Sequence, residues 1–133
     1  MTFALQLLAV AIGGAIGGAG RFWIAGMVAR RFGETFPWGT LVVNVSGAAI
    51  IGALSAILLA DGSHAVNHVP AWSGLVIGTL GSYTTVSSFS LQTLALLRAG
   101  DPVPAVLNIV GSLALCLTAA ALGYAAMLRL VGY

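Results

Sequence analysis

Charge is absent from four long stretches of this chain, residues 1–20, 37–60, 71–97 and 102–128. A helix needs about 20 mostly apolar residues to cross the hydrocarbon core of a bilayer, and each stretch is long enough. Charged residues make up 6% of the 133, where a soluble domain carries about 25%. The mean hydropathy is +1.05. A soluble domain is thereby excluded. The expected fold is an all-α membrane protein with one domain over 1–133 and four transmembrane helices, at about residues 2–29, 37–60, 71–98 and 102–130.

The connections that remain, 29–36, 61–70 and 99–101, are too short to house a soluble catalytic domain, which excludes most enzymes. The first stretch has no basic start and is long and glycine-rich, so it reads as a helix and not as a signal peptide. Five arginines without a lysine, for a net charge of +2, are too few and too scattered for a nucleic-acid surface. Cys116 is the only cysteine, which excludes an internal disulfide and a cysteine metal cluster and makes it a small apolar filler. Four spans put both termini on one side. Arg30, Arg31 and Arg98 favour the cytoplasm for the loops that hold them, with both termini outside.

The third stretch departs from lipid-facing chemistry. Ser82, Tyr83, Thr84, Thr85, Ser87, Ser88 and Ser90 place hydroxyls on seven of nine successive residues. An isolated Ser or Thr bonds back to its own helix carbonyls, which accounts for one or two such residues but not for seven. Gly78 and Gly81 allow the backbone to leave helical geometry, and at membrane depth irregular backbone is tolerated only where it is buried in protein or lines a polar path. The expectation is a third helix broken near the midplane. Carbonyls at the end of its first half would be free to coordinate a small hard cation, and the hydroxyls, Thr85 and Ser88 among them, would line the rest of a conduit.

Elsewhere the polar residues each admit two readings. Gly13, Gly14, Gly17, Gly18 and Gly20 form a small-residue face for close helix packing; a nucleotide-binding glycine loop is excluded because no strand precedes it. Arg21, which costs about 3 kcal/mol at a span centre, either marks an aqueous vestibule that attracts anions or anchors the helix near an interface. After Pro37 and the interfacial Trp38, Thr40 and Asn44 share a face of the second helix. The Asn44 amide either supplies donors that solvate an anion without adding positive charge or serves as interhelical glue. Asn108, Ser112 and Cys116 follow at i+4 spacing, as a track of donors or as a packing stripe. His64 and His68 are too few for a closed zinc site and read as part of a solvated connection.

Three motifs together resemble the Fluc/CrcB family of fluoride channels, small four-helix membrane proteins of bacteria and archaea. They are Gly13-Gly14-Ala15-Ile16-Gly17 leading to Arg21-Phe22, Pro37-Trp38-Gly39-Thr40-Leu41-Val42-Val43-Asn44, and Gly81-Ser82-Tyr83-Thr84-Thr85-Val86-Ser87-Ser88-Phe89-Ser90. The resemblance covers nearly the whole chain. It implies passive fluoride export for fluoride resistance, through an antiparallel dual-topology dimer in the inner membrane. Each of two pores is built from both subunits, and a structural sodium ion sits at the dimer centre. Carried over by position, Gly81 and Thr84 offer backbone carbonyls to the sodium. Asn44, Phe89, Ser112 and Asn108 line the pore, and Arg21 stands near the entrance.

One position departs from the family pattern. Two phenylalanines three residues apart usually face the pores; here Phe89 remains but Val86 occupies the first position. Valine offers no polarised ring edge to an anion. Val86 and the arginine bias would fit one half of a heterodimer of paralogous subunits, whereas the homodimer is the simpler assembly. Two other classes compete. A small multidrug-type transporter needs an acid inside the membrane, yet Glu34, Asp61 and Asp101 all fall outside the spans. A non-conducting subunit of a membrane complex accounts for the glycines but not for the hydroxyls.

Overall fold

The computed structural model describes residues 3–60 and 70–132. These form α1 (Phe3–Phe32), α2 (Trp38–Ala60), α3 (Pro70–Tyr83), α4 (Val86–Arg98) and α5 (Pro102–Val131), with no strand among the described residues. His64 and His68 lie outside them. Three helices, α1, α2 and α5, are long and apolar enough to cross a membrane.

Local chemistry sets the helix ends. α1 runs past Ala29 to Phe32 because Gly33 adopts φ +80° and returns its N–H to the Ala29 carbonyl at 2.8 Å. Arg30 and Arg31 fall in that last turn, where a cation is favoured by the helix dipole. α4 ends in a Schellman motif. Gly100, at φ +82°, donates to Leu97 O at 3.2 Å, and Asp101 donates to Leu96 O at 3.0 Å. Pro102 then opens α5 at a position where a missing N–H costs nothing.

Packing couples α1 most extensively to α3, and α2 to α5. Glycines make both contacts close, and they do so reciprocally. A methyl on Gly17 of α1 would strike the Thr79 carbonyl of α3, and one on Gly78 of α3 would strike the Val10 carbonyl of α1. The second pair repeats the device, Gly52 against the Ala120 carbonyl and Gly123 against that of Ala49. In lipid, where helix association depends on van der Waals fit, such backbone-to-backbone approach holds a bundle together.

The buried apolar set is small, with Leu41, Val43, Ala56 and Ala105 as its members among the described residues. Large apolar side chains on α1, α4 and α5 are mostly exposed, as with Phe22 and Leu130 at 83% and 81%. Such an apolar surface is untenable in water and is what lipid or another subunit covers.

Candidate functional site

The hydroxyl-rich segment folds as a junction. α3 stops at Tyr83, α4 starts at Val86, and Thr85 between them is extended at φ −151°, ψ 120°. Thr84 ends the first helix by turning both its N–H and its hydroxyl onto Leu80 O, at 3.0 and 2.9 Å. Thr85 begins the second as its N-cap. Its Oγ1 accepts the Ser88 N–H at 3.1 Å and donates to Ser88 Oγ at 3.1 Å.

Asn44, on α2, fills the gap between the two helices. Its Nδ2 donates to Thr85 O at 2.9 Å, while its Oδ1 accepts the Thr85 N–H at 2.8 Å. The amide thus pairs with the backbone of Thr85 as a neighbouring strand would. Two residues on, the Ser46 hydroxyl is donated to Val42 O at 2.8 Å, so the Tyr83 hydroxyl, 2.8 Å from Ser46 Oγ, donates to it. Gly47 leaves room for Tyr83 and Thr84, since a methyl there would strike Thr84 Cγ2.

These bonds divert two backbone donors. In a continuous helix the Thr85 N–H would go to Gly81 O and the Ser88 N–H to Thr84 O. Asn44 takes the first and the Thr85 hydroxyl takes the second. Gly81 and Thr84 therefore carry carbonyls without their helical donors.

A cleft of about 570 Å³ opens beside the junction, between α1, α2 and α4. Arg21, Thr40, Thr85, Ser88 and Gln92 line it, with Glu34 at the connection following α1. Arg21 lies well inside the long helix α1 and is the arginine of this cleft. Gln92 also lines a neighbouring cleft of about 320 Å³ with Glu34 and Asp101, and its buried Oε1 has no hydrogen-bond partner among the described residues.

A second polar chain links α4 to α5. Thr93 Oγ1 donates to Phe89 O at 2.7 Å and accepts from Asn108 Nδ2 at 2.8 Å; Ser112 Oγ lies 3.5 Å from Asn108 Oδ1. Thr93 and Asn108 are buried, the latter at 2% exposure.

The expected site residues fall into these groups unevenly. Asn44, Thr85, Ser88 and Arg21 gather at the junction and its cleft, with Gly81 and Thr84 on the α3 side. Asn108 and Ser112 join Phe89 through Thr93. Val86 is 76% exposed on the outside of the single chain. Cys116 is partly buried, one turn beyond Ser112. Sequence reasoning missed Thr93, Ser46 and Tyr83 as partners in these networks, and Gln92 as a residue lining both clefts. The i+4 step from Phe89 to Thr93 was the available signal for the first, but it equally describes a threonine bonded to its own helix.

Three apolar spanning helices around an interrupted, hydroxyl-lined junction define an integral membrane protein with a polar interior. Residues 8–124 match the family described as "CrcB-like protein, Camphor Resistance (CrcB)", and the chain belongs to that family. It is 59% identical over 121 residues to the fluoride-specific ion channel FluC 2 of Rhodopseudomonas palustris, covering 90% of this chain and 91% of that one. The fluoride-specific ion channel FluC of Opitutus terrae is 51% identical over 92% of each chain. That of Paramagnetospirillum magneticum is 48% identical over 95% of this chain and 94% of its own. These relatives are ion channels, not enzymes.

Proposed function

We propose that this chain is the subunit of a passive, fluoride-selective channel that releases fluoride down its electrochemical gradient across the inner cell membrane and so confers fluoride resistance. The observation that carries this reading is the near-full-length kinship with relatives named fluoride-specific ion channels. The chemistry agrees with it. Fluoride is small and strongly hydrated, so a selective path replaces water with several neutral donors and avoids a fixed cation that would trap the ion. Asn44 commits one N–H to Thr85 and keeps its second N–H for the path. Ser88, Ser112 and the ring edge of Phe89 supply further positive hydrogens.

In this reading two antiparallel copies assemble with dual topology and each pore draws on both. The apolar faces exposed in the single chain support an assembly of this kind. A structural sodium fits the junction, because Gly81 and Thr84 offer the neutral, hard carbonyl oxygens that an alkali cation takes. When bound at the dimer centre it would offset the converging carbonyl dipoles. Val86 supports a second assembly, a heterodimer with a paralogous subunit that supplies the missing ring edge.

Fluoride efflux from liposomes holding only the purified chain, followed with a fluoride electrode beside a chloride control, tests the proposal. Rapid fluoride-selective release is expected. Silence from folded protein that is not rescued by a related subunit would exclude the channel, whereas rescue would establish the heterodimer.

A further inference from the structure

We propose that Thr93 is a positioning residue of the permeation path: it fixes which end of the Asn108 amide faces Ser112 and so governs the Ser112 hydroxyl. This inference rests on the fluoride-channel reading above.

A threonine hydroxyl carries one proton and two lone pairs. Phe89 O, 2.7 Å away, has no proton to give, so Thr93 donates to it. The Thr93 oxygen can then only accept, and the amino group of Asn108 is what it accepts from, at 2.8 Å. Turning the Asn108 amide round would set Oδ1 against Thr93 Oγ1, and the hydroxyl could meet it only by giving up its bond to Phe89 O, in a buried place where an unmade hydrogen bond is costly. The amide is therefore held one way, with its oxygen toward Ser112.

That polarity decides what α5 offers an anion. With Oδ1 facing it, Ser112 is the donor of the pair, and its 3.5 Å separation is at the limit of a hydrogen bond. A proton held so weakly is readily lent to a passing anion. The amino group of Asn108 is meanwhile kept on Thr93, away from Ser112. Without the Thr93 oxygen the amide is free to turn and to place a fixed N–H donor against Ser112, which immobilises the hydroxyl as an acceptor and changes the path. Asn108 in this arrangement acts through Ser112 and does not itself solvate the ion.

Two substitutions separate the hydroxyl from the side-chain volume. Thr93→Val keeps the shape and removes the oxygen; Thr93→Ser keeps the oxygen and removes the methyl. In reconstituted protein Thr93→Val is expected to slow fluoride efflux by about tenfold or more, the scale of one lost buried hydrogen bond, while Thr93→Ser stays within about threefold of the parent. In an Asn108→Leu background Thr93→Val adds no further loss. The side-chain amide protons of Asn108, read by nitrogen-15 NMR in micelles, exchange slowly with water in the parent and in Thr93→Ser and rapidly in Thr93→Val. If Thr93→Val does not fold, Thr93→Ala carries the same expectation. Parent-like efflux in a folded Thr93→Val, a Thr93→Ser as slow as Thr93→Val, or unchanged amide exchange would each overturn the inference. A parent protein that moves no fluoride either alone or with a related subunit removes the channel reading and the permeation role with it, while the amide exchange still reports whether Thr93 sets the polarity of Asn108.

Discussion

Asn44 and Thr85, 41 residues apart, hold one another by two hydrogen bonds running in opposite directions. A single side chain thereby satisfies both backbone groups of the residue at which the helical pattern is interrupted. The extended backbone of Thr85 has left the helical hydrogen-bond pattern, and Asn44 supplies the partners that its N–H and C=O would otherwise lack. The same pairing releases the Gly81 carbonyl from its helical donor, so the clamp that stabilises the junction also leaves an oxygen with no such donor among the described residues.

Asn44→Asp keeps an acceptor for the Thr85 N–H but sets a carboxylate oxygen against Thr85 O and removes the donor. Loss of fluoride efflux is expected. The partly buried junction should also lose about 1–3 kcal/mol, the scale of an unsatisfied buried carbonyl. Efflux assays and thermal unfolding in detergent check both.

Val86→Phe restores a ring edge at the position that lacks it. The site is 76% exposed in the single chain, so the larger side chain meets no obstruction within it. Faster fluoride efflux than in the parent is the expected outcome in the homodimer, and an unchanged rate would mean that this position lies off the path.

The glycine contacts make an opposed pair of expectations. Gly52→Ala drives a methyl into the Ala120 carbonyl and should cost about 1–3 kcal/mol, as overpacking does. At Gly26 a methyl meets only the mobile end of Arg30, at 3.5 Å. There alanine should be neutral or stabilising by up to about 1 kcal/mol through helix propensity. Unfolding midpoints of the two variants decide the comparison.

Sodium dependence should respond to Thr85. If sodium sits on Gly81 O and Thr84 O, it raises the unfolding temperature of the parent. Thr85→Val removes the hydroxyl that draws the Ser88 N–H away from Thr84 O. That N–H then returns to the carbonyl and competes with the cation. The variant should need more sodium for the same rise, measured by a sodium titration against N-methylglucamine.

Much of this protein is legible in its sequence because the signals are local. The uncharged stretches mark the chain as a membrane protein by their length and composition, and three of the described helices are long and apolar enough to span. Pro102 starts α5 through its fixed φ; Gly33 and Gly100, which stop α1 and α4 at positive φ, are local signals that the expected helix boundaries did not use. Seven hydroxyls in nine residues identify the junction segment before any fold is known. The extent of α1 was underestimated, because Arg30 and Arg31 read as loop residues although a helix C-terminus attracts them.

Partner choice is where sequence reasoning stopped. Composition marks Asn44, Thr93 and Asn108 as polar groups needing hydrogen bonds, but each has several candidate partners within a helix turn and across the bundle. Their actual partners lie 41 residues away for Asn44 and 15 for the Thr93–Asn108 pair. The glycine contacts of α1 with α3 and of α2 with α5 set the helix spacing that brings such groups within reach. The sequence by itself determined the membrane class, the family and the position of the polar junction, since these follow from local composition and motif. Only the tertiary structure decided that Asn44 clamps Thr85 and that Thr93 orients Asn108, because a hydrogen bond forms over about 3 Å and that distance is set by packing between distant parts of the chain.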